Sequence, residues 1–402
     1  MEIIMRKVLL ITGELYPIVS GASLHTYGYC KMMSEQCEFY ACSLYYEKDA
    51  LTAEATVEKD FKARLIQPYI NRMEKIINTP QILKAIFLFM YPIYGRLYKE
   101  IVAIIQKKEI DTVIIDHVTM GLYFYKLKKQ FPEIRYIYNS HNVEYVNIYD
   151  RHVKFLKDGR FKNFRKQLNL IRYRFFREIE KDMLENTFAV FDISEADIEM
   201  LKKEYHLTQN RMYLAKPLSE FKPIKQFESV KSFHKKLLIV GSMGWYPNVN
   251  GIIWFVEKVF SKLIQIDPEY KLYLVGRGAG EDISRLAAQY PDNILLVGAV
   301  PSTDPYFEEC DLSIVPVFEG TGAKLKVLES LARRIPMVCS GFAAKDYDLQ
   351  NEAAICDTPQ EFMDAILQLE KNINYREKLY GSTVAYMNNY YQLNPKIREV
   401  LK

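Results

Sequence analysis

From Leu312 to Pro336 the chain reads LSIVPVFEGTGAKLKVLESLARRIP: an apolar run, a glycine-flanked loop, then a helical pattern opening with two lysines and a glutamate. Gly320 and Gly322 let the backbone come close to a ligand after the run. The helix that follows directs its free N–H groups and positive dipole end at the same place. Lys324 and Lys326 add two full positive charges, so the combination suits a diphosphate. Glu329, one turn further on, has two acceptor oxygens for the hydroxyls of a ribose. A plainer reading is a glycine turn feeding an amphipathic helix, with Lys326 and Glu329 as a solvated i,i+3 pair. Two other apolar runs also end in glycine-rich turns, VGSMGWYPNVNG with Gly241 and Ser242, and VGRGAGED with Gly276. That repetition favours a nucleoside diphosphate as the ligand.

Outside this constellation the chemistry-bearing residues are few. His141 follows the run IRYIYNS and His117 follows DTVIID, so both stand where a strand ends; His25 falls within the first helical pattern. Each has a structural reading beside the functional one, and His141 is the stronger candidate. Asp346-Tyr347-Asp348 has the spacing of a metal-binding acidic pair but follows the last strand of its half, so it reads as a loop and no metal is expected. Gly276, Gly278 and Gly280 do not have the spacing of a dinucleotide fingerprint, and no early acidic ribose ligand follows, which argues against a nicotinamide enzyme. The six cysteines have neither metal-ligand nor disulfide-framework spacing and read as buried thiols in a reducing, cytoplasmic setting.

The elements that must position these residues alternate. KLLIVG, YKLYLVG, NILLVGAV, CDLSIVPV and IPMVCS are short β-rich runs, most of them separated by helical segments such as VNGIIWFVEKVFSKLIQ. The N-terminal half repeats the theme with KVLLITG, FYACSLYY, DTVIID, IRYIYNS and TFAVFDIS, interrupted near residues 50–108 and 146–186 by stretches that read as helices. Alternation of this kind predicts parallel βαβ units, and the continuous rather than alternating hydrophobicity predicts strands covered on both faces. The expected organisation is a first Rossmann-like domain over 1–216, a polar linker over 217–235, a nucleotide-binding domain over 236–385 and a terminal helix over 386–402. Ligands of such sheets bind beyond the carboxyl ends of the strands.

With 402 residues, 49% hydrophobic and 26% charged, the chain has apolar material for two cores. A net charge of +4 is too small to argue for a nucleic-acid partner, and none is expected. No run reaches the roughly 18–20 apolar residues of a membrane span; AIFLFMYPIY is broken by Pro92. The N-terminus reads as a first strand and not as a signal peptide. From Arg151 to Asp182 eleven Lys/Arg stand against four Asp/Glu, interleaved with aromatic residues. This segment reads either as a solvated face or as a peripheral contact with an anionic membrane at its inner face.

In order along the chain, VGSMGWYPNVNGIIWFVE, YKLYLVGRGAG, NILLVGAV and GTGAKLKVLESLA resemble the donor domain of the retaining glycosyltransferases of family four, which have the GT-B fold. In the other half ITGELYPIVSGASLHTYGYCKMM, YNSHNVEY and VFDISEADIEML are similar to the same family. The resemblance implies two Rossmann-like α/β domains whose parallel sheets face across a cleft. It implies transfer of a sugar from a nucleotide-diphosphate sugar, with retention and without metal or cofactor, to a glycan or lipid-linked acceptor in surface polysaccharide or glycoconjugate synthesis. By motif position Gly322, Lys324 and Lys326 would hold the diphosphate and Glu329 the ribose, with Gly241, Ser242 and Gly276 beside them. Gly21 would line the donor site from the first domain, and His141 would stand at the reacting centre. The family's Glu eight positions before Glu329 is Thr321 here, with Glu319 two residues earlier, so either residue is a candidate for that role. A nucleotide-sugar epimerase and a non-catalytic nucleotide-sugar-binding subunit are the alternatives.

Overall fold

Successive residues of the N-terminal strands go to opposite sides of one sheet. In the computed structural model Leu9, Ile11, Val113, Ile115, Tyr136 and Tyr138 enter one apolar core. Their neighbours Val8, Leu10, Ile114, Ile137 and Phe191 enter another. The continuous apolar runs thus describe strands with helices on both faces, as their composition requires. The structure describes residues 6–18, 21–45, 50–66, 95–149, 162–208, 211–217, 221–390 and 395–401. They fall into two units, Met1–Leu218 with Leu393–Lys402, and Ser219–Gln392.

The first unit holds β1 (Lys7–Thr12), β2 (Glu38–Leu44), β3 (Lys62–Ile66), β4 (Thr112–Asp116), β5 (Arg135–Ser140), β6 (Ala189–Asp192) and β7 (Met212–Leu214). Their spatial order is β3-β2-β1-β4-β5-β6-β7, and every pair is parallel. Chain direction across the sheet reverses between β1 and β4, and at such a switch point the following loops diverge and leave room for a ligand. The helix Gly21–Ser34 follows β1. In the helix Gly95–Lys108 the buried residues Leu97, Ile101 and Ile105 are four apart, the spacing of one helical face. The helix Glu195–Tyr205 is capped by Ser194, whose hydroxyl accepts from Asp197 N at 3.2 Å. The last helix, Pro395–Val400, belongs to this unit and seats Ile397 in its core.

The second unit holds β8 (Lys236–Val240), β9 (Lys271–Val275), β10 (Ile294–Gly298), β11 (Leu312–Val315), β12 (Met337–Cys339) and β13 (Ala354–Ile355), ordered β10-β9-β8-β11-β12-β13. Its pairs are likewise parallel, and its switch point lies between β8 and β11. The predicted helix after β8 runs from Tyr246 to Ile266 and widens into one π-turn at Val256–Phe260. The helix Pro359–Lys371 has a full capping box between Thr358 and Glu361.

Three strands depart from the sequence reading. Lys62–Ile66 lies in a stretch read as helical, and β7 and β13 have only three and two residues. Residues 67–94 and 150–161, which hold the middle of the first expected insertion and the start of the basic segment, lie outside the described residues. Among the described residues no helix is long and apolar enough to cross a membrane.

Candidate functional site

The second unit gathers the lysines and glycines at its switch point. Gly241 leaves β8 at φ 146° and Gly276 leaves β9 at φ 150°, and a Cβ on Gly276 would stand 1.8 Å from the Gly241 carbonyl oxygen. Only glycine lets these two turns touch. Gly241 N donates to Val275 O at 3.0 Å and Met243 N to Arg277 O at 2.8 Å, so the two loops brace each other. Ser242, next in the chain, is exposed, and its carbonyl accepts from Asn248 Nδ2 at 2.7 Å.

After β11 the chain turns through Gly320 (φ 97°) and Gly322 (φ 72°) into the helix Leu325–Ala332. Lys324 does not reach outward. Its ammonium donates to Gly322 O at 2.5 Å and Thr321 O at 3.1 Å, closing its own loop. Lys326 reaches across instead, donating to Asn248 Oδ1, with its Nζ 3.5 Å from where a Cβ on Gly241 would stand. Burial first, then the neighbouring Lys324 charge, push Lys326 down to about 7, with Glu329 pulling the other way. An anion placed here would therefore relieve an uncompensated charge.

Thr321 presents a buried hydroxyl with no hydrogen-bond partner among the described residues. Glu319 accepts from Asn250 Nδ2 at 2.6 Å on the helix after β8. Glu329 uses Oε1 to accept from Thr303 Oγ1 at 2.8 Å and from Arg333 Nε at 3.4 Å, which leaves Oε2 as the oxygen with capacity. Burial raises its carboxyl above the usual range, against the hydrogen bond from Thr303 and the charge of Arg333. Asn248, Thr303 and Arg333 escaped the sequence reading. The place of Arg333, four residues after Glu329, was the available signal.

The first unit builds a different kind of site at its own switch point. Asp116 ends β4 and is fully buried. Its Oδ1 accepts from His141 Nε2 at 2.7 Å and Asn139 Nδ2 at 2.7 Å, and its Oδ2 from Thr12 Oγ1 at 2.7 Å and Thr26 Oγ1 at 3.2 Å. Burial pushes this carboxyl up, but the two histidines and the donated hydrogen bonds outweigh it and hold it well below the usual range. His141, 2% exposed, lies with its ring stacked on His117, centroids 3.9 Å apart. His25, buried on the first helix, meets the His141 ring edge-on at 4.9 Å. Burial and the His117 charge lower His141 despite Asp116.

His117, at φ 64°, lies with Nδ1 3.7 Å from Glu144 Oε1 and Nε2 4.0 Å from Asp116 Oδ2. Burial opposes its charge, yet the two carboxylates raise it to about 9. Its side chain is 16% exposed, so His117 is the more accessible of the stacked pair. Glu180, on the helix Lys162–Asn186, accepts from Glu144 N at 3.2 Å and from Tyr205 Oη at 2.9 Å. Gly21 opens the helix that carries His25 and Thr26. The sequence reading found the two histidines but not Asp116, Asn139, Thr12, Thr26 or Glu144.

Asp116, His117 and His141 bring one ligand atom each within 4.8 Å of one another. The carboxylate is already hydrogen-bonded to His141, and the imidazoles stack instead of converging on a point. The arrangement is a self-neutralising polar cluster.

Residues 234–372 match the family model described as glycosyl transferases group 1. A 44.6 kDa uncharacterized protein in the cps region of Klebsiella pneumoniae is 22% identical over 175 residues. That alignment spans 41% of this chain and 45% of the relative, so the chain matches under half of that protein's length. Among solved structures, Anabaena HepE in complex with UDP and glucose superimposes with a TM-score of 0.69 at 11% identity, covering 98% of this chain and 99% of that one. WaaG, a glycosyltransferase involved in lipopolysaccharide biosynthesis, gives a TM-score of 0.63 at 14% identity, covering 98% and 99%. At these identities the likeness establishes the fold. The chain thus has the two-sheet GT-B fold, and its residues 234–372 match the glycosyl transferases group 1 model.

Proposed function

We propose that the protein is a retaining glycosyltransferase that takes a sugar from a nucleotide-diphosphate sugar without a metal ion. Its acceptor is a glycan or lipid-linked molecule in surface polysaccharide or glycoconjugate synthesis. The observation that carries this reading is the set of Lys326, Asn248 and the braced turns at Gly241 and Gly276, assembled at a sheet switch point inside the segment that matches the family model. A cationic side chain with no ion-paired carboxylate among the described residues, set against closely packed glycine backbone, is an anion site of the kind that takes phosphates. Thr321 Oγ1 and Glu329 Oε2 supply neutral and acidic hydrogen-bonding groups for sugar and ribose hydroxyls. The leaving diphosphate gains charge as the sugar departs, and Lys326 then acts where stabilisation raises turnover. His141 of the first unit acts at the sugar end.

HepE was solved with UDP and glucose, which makes uridine donors the first to try. The lipopolysaccharide role of WaaG and the cps-region relative point to a surface glycan as product. Six buried, unpaired cysteines suit the cytoplasmic setting proposed for such an enzyme. The test is a thermal-shift panel of UDP-, GDP- and ADP-sugars, followed by measurement of donor hydrolysis and transfer. A tight donor shifts the melting curve by mass action, and turnover of that donor supports the reading. Binding without turnover would make the chain a nucleotide-sugar-binding subunit, and no shift with any donor removes the site.

A further inference from the structure

The Asp116 carboxylate receives donors from four separate segments: the end of β1, the first helix, the end of β5 and the loop that follows it. It is fully buried and its four acceptor positions are filled, so it has no capacity left for a substrate. Its geometry does decide one thing, the position of the proton on His141. Nε2 of His141 lies 2.7 Å from Asp116 Oδ1. An ionised carboxylate at that distance requires a hydrogen on Nε2, because two lone pairs would otherwise face each other. The 3.0 Å approach of Asn139 Nδ2 to the same nitrogen follows, since both groups donate to one oxygen. The other faces of the imidazole are occupied by His117, stacked at 3.9 Å, and His25, edge-on at 4.9 Å. His117 carries the positive charge of the pair, flanked by Asp116 and Glu144. A second proton on His141 would place two cations face to face.

We propose that Asp116 is a positioning residue: it fixes His141 as the tautomer protonated on Nε2, so that Nδ1 is the hydrogen-bond acceptor offered to a hydroxyl of the sugar substrate. This rests on the glycosyl-transfer reading above and changes what His141 does within it. The imidazole holds a hydroxyl by accepting its proton in a hydrogen bond and does not donate to a phosphate oxygen. Thr12, Thr26 and Asn139 keep the carboxylate from rotating, and β1, β5 and the first helix hold those three in turn.

The test uses the full chain labelled with ¹⁵N-histidine, read by imidazole ¹⁵N–¹H correlation near neutral pH, beside donor kinetics for Asp116→Asn and Asp116→Ala. The parent is expected to show His141 with Nε2 protonated and Nδ1 bare. Asp116→Asn keeps an acceptor oxygen towards His141 and Asn139, while the Thr12 and Thr26 hydroxyls turn to accept from its amide. It is expected to retain the tautomer and turnover within about tenfold of the parent. Asp116→Ala is expected to mix the tautomers and lower kcat by about 10²-fold with KM little changed. A parent spectrum with Nδ1 protonated overturns the proposal without any activity measurement, as does an Asp116→Ala variant with both the tautomer and kcat intact. Should Asp116→Ala not fold, the parent spectrum and the Asp116→Asn pair still decide. If no donor is turned over by the parent, the glycosyl-transfer reading fails while the tautomer assignment is judged on the spectrum alone.

Discussion

Lys326 sits at about 7, lowered by burial and by the neighbouring Lys324. At neutral pH it is therefore only about half charged. A bound diphosphate brings negative charge to the ammonium and returns its pKa towards the ordinary lysine value of about 10.4. Binding then takes up a proton wherever the empty site has lost one, so affinity falls as pH rises. The dissociation constant scales as 1 + 10^(pH − pKa) of the empty site, a factor near 1.1 at about pH 6 and near 33 at about pH 8.5. The expected weakening across that range is about 30-fold, or about 2 kcal/mol. An intact nucleotide sugar is the right probe, because its diphosphate is esterified at both ends and keeps one charge throughout. Isothermal titration calorimetry in buffers of different ionisation enthalpy would also count the proton taken up, close to one per donor at the upper end. Lys326→Met removes the titrating group, so its weaker affinity should be flat with pH. His117, raised to about 9, titrates only above most of this range and is unchanged in that variant. A parent affinity constant within twofold, an affinity that improves with pH, or a Lys326→Met variant that keeps the slope would each refute the reasoning.

Glu329→Gln should weaken donor binding by about tenfold while keeping the contacts to Thr303 and Arg333, and an unchanged Kd would take Glu329 out of the ribose site. Turnover should survive excess EDTA, and complete loss restored by magnesium or manganese would overturn the metal-independent mechanism. Gly276→Ala must move the Gly241 carbonyl or distort a left-handed backbone, so it should cost about 3 kcal/mol and lower Tm by about 10 °C; a Tm within 2 °C or so of the parent would mean that the two turns are not braced as described. If the basic segment 151–182 meets a membrane, binding to anionic vesicles should fall with added salt, and equal binding to neutral vesicles would reduce it to a solvated face.

What the sequence made legible was what is local in the chain. The runs that became β8 to β12 are apolar throughout and end in turn residues, so their parallel, doubly covered sheet could be read directly. β3 could not, because Lys62 and Arg64 give it the charge pattern of an exposed face. The strand is held by Glu54, which accepts from Leu65 N at 2.6 Å and Arg64 at 2.9 Å from a helix earlier in the chain. Sites follow the same rule. The glycines and lysines of residues 320–326 announce an anion site because they are neighbours in sequence. The contact of Thr303 with Glu329 spans 26 residues and that of Thr12 with Asp116 spans 104, and no spacing rule reaches them. Lys324 is the instructive case. Its position beside Lys326 suggested two equivalent phosphate ligands, but Lys324 stands before the first helical residue and turns back to close its own loop while lowering its neighbour's pKa.

Charge bears on the ligand chemistry proposed for each unit. In the first unit Asp116 and Glu144 are held low, His117 is raised and His141 lowered, so the four groups taken together carry a net negative charge. A diphosphate brought there would meet like charge, and the one cation is already flanked by two carboxylates. In the second unit the lysine at the switch point donates to an amide oxygen and has no ion-paired carboxylate among the described residues. Its nearest acid, Glu329, is engaged with Thr303 and Arg333. Two sheets of the same topology have thus been given opposite electrostatic characters at equivalent positions. A sugar, which is neutral and offers hydroxyl protons, suits the first, where a held imidazole and carboxylates accept hydrogen bonds. A diphosphate suits the second, where the acid nearest the lysine is engaged with Thr303 and Arg333. The net charge at each switch point thus supports the proposal that a sugar suits the first unit and a diphosphate the second.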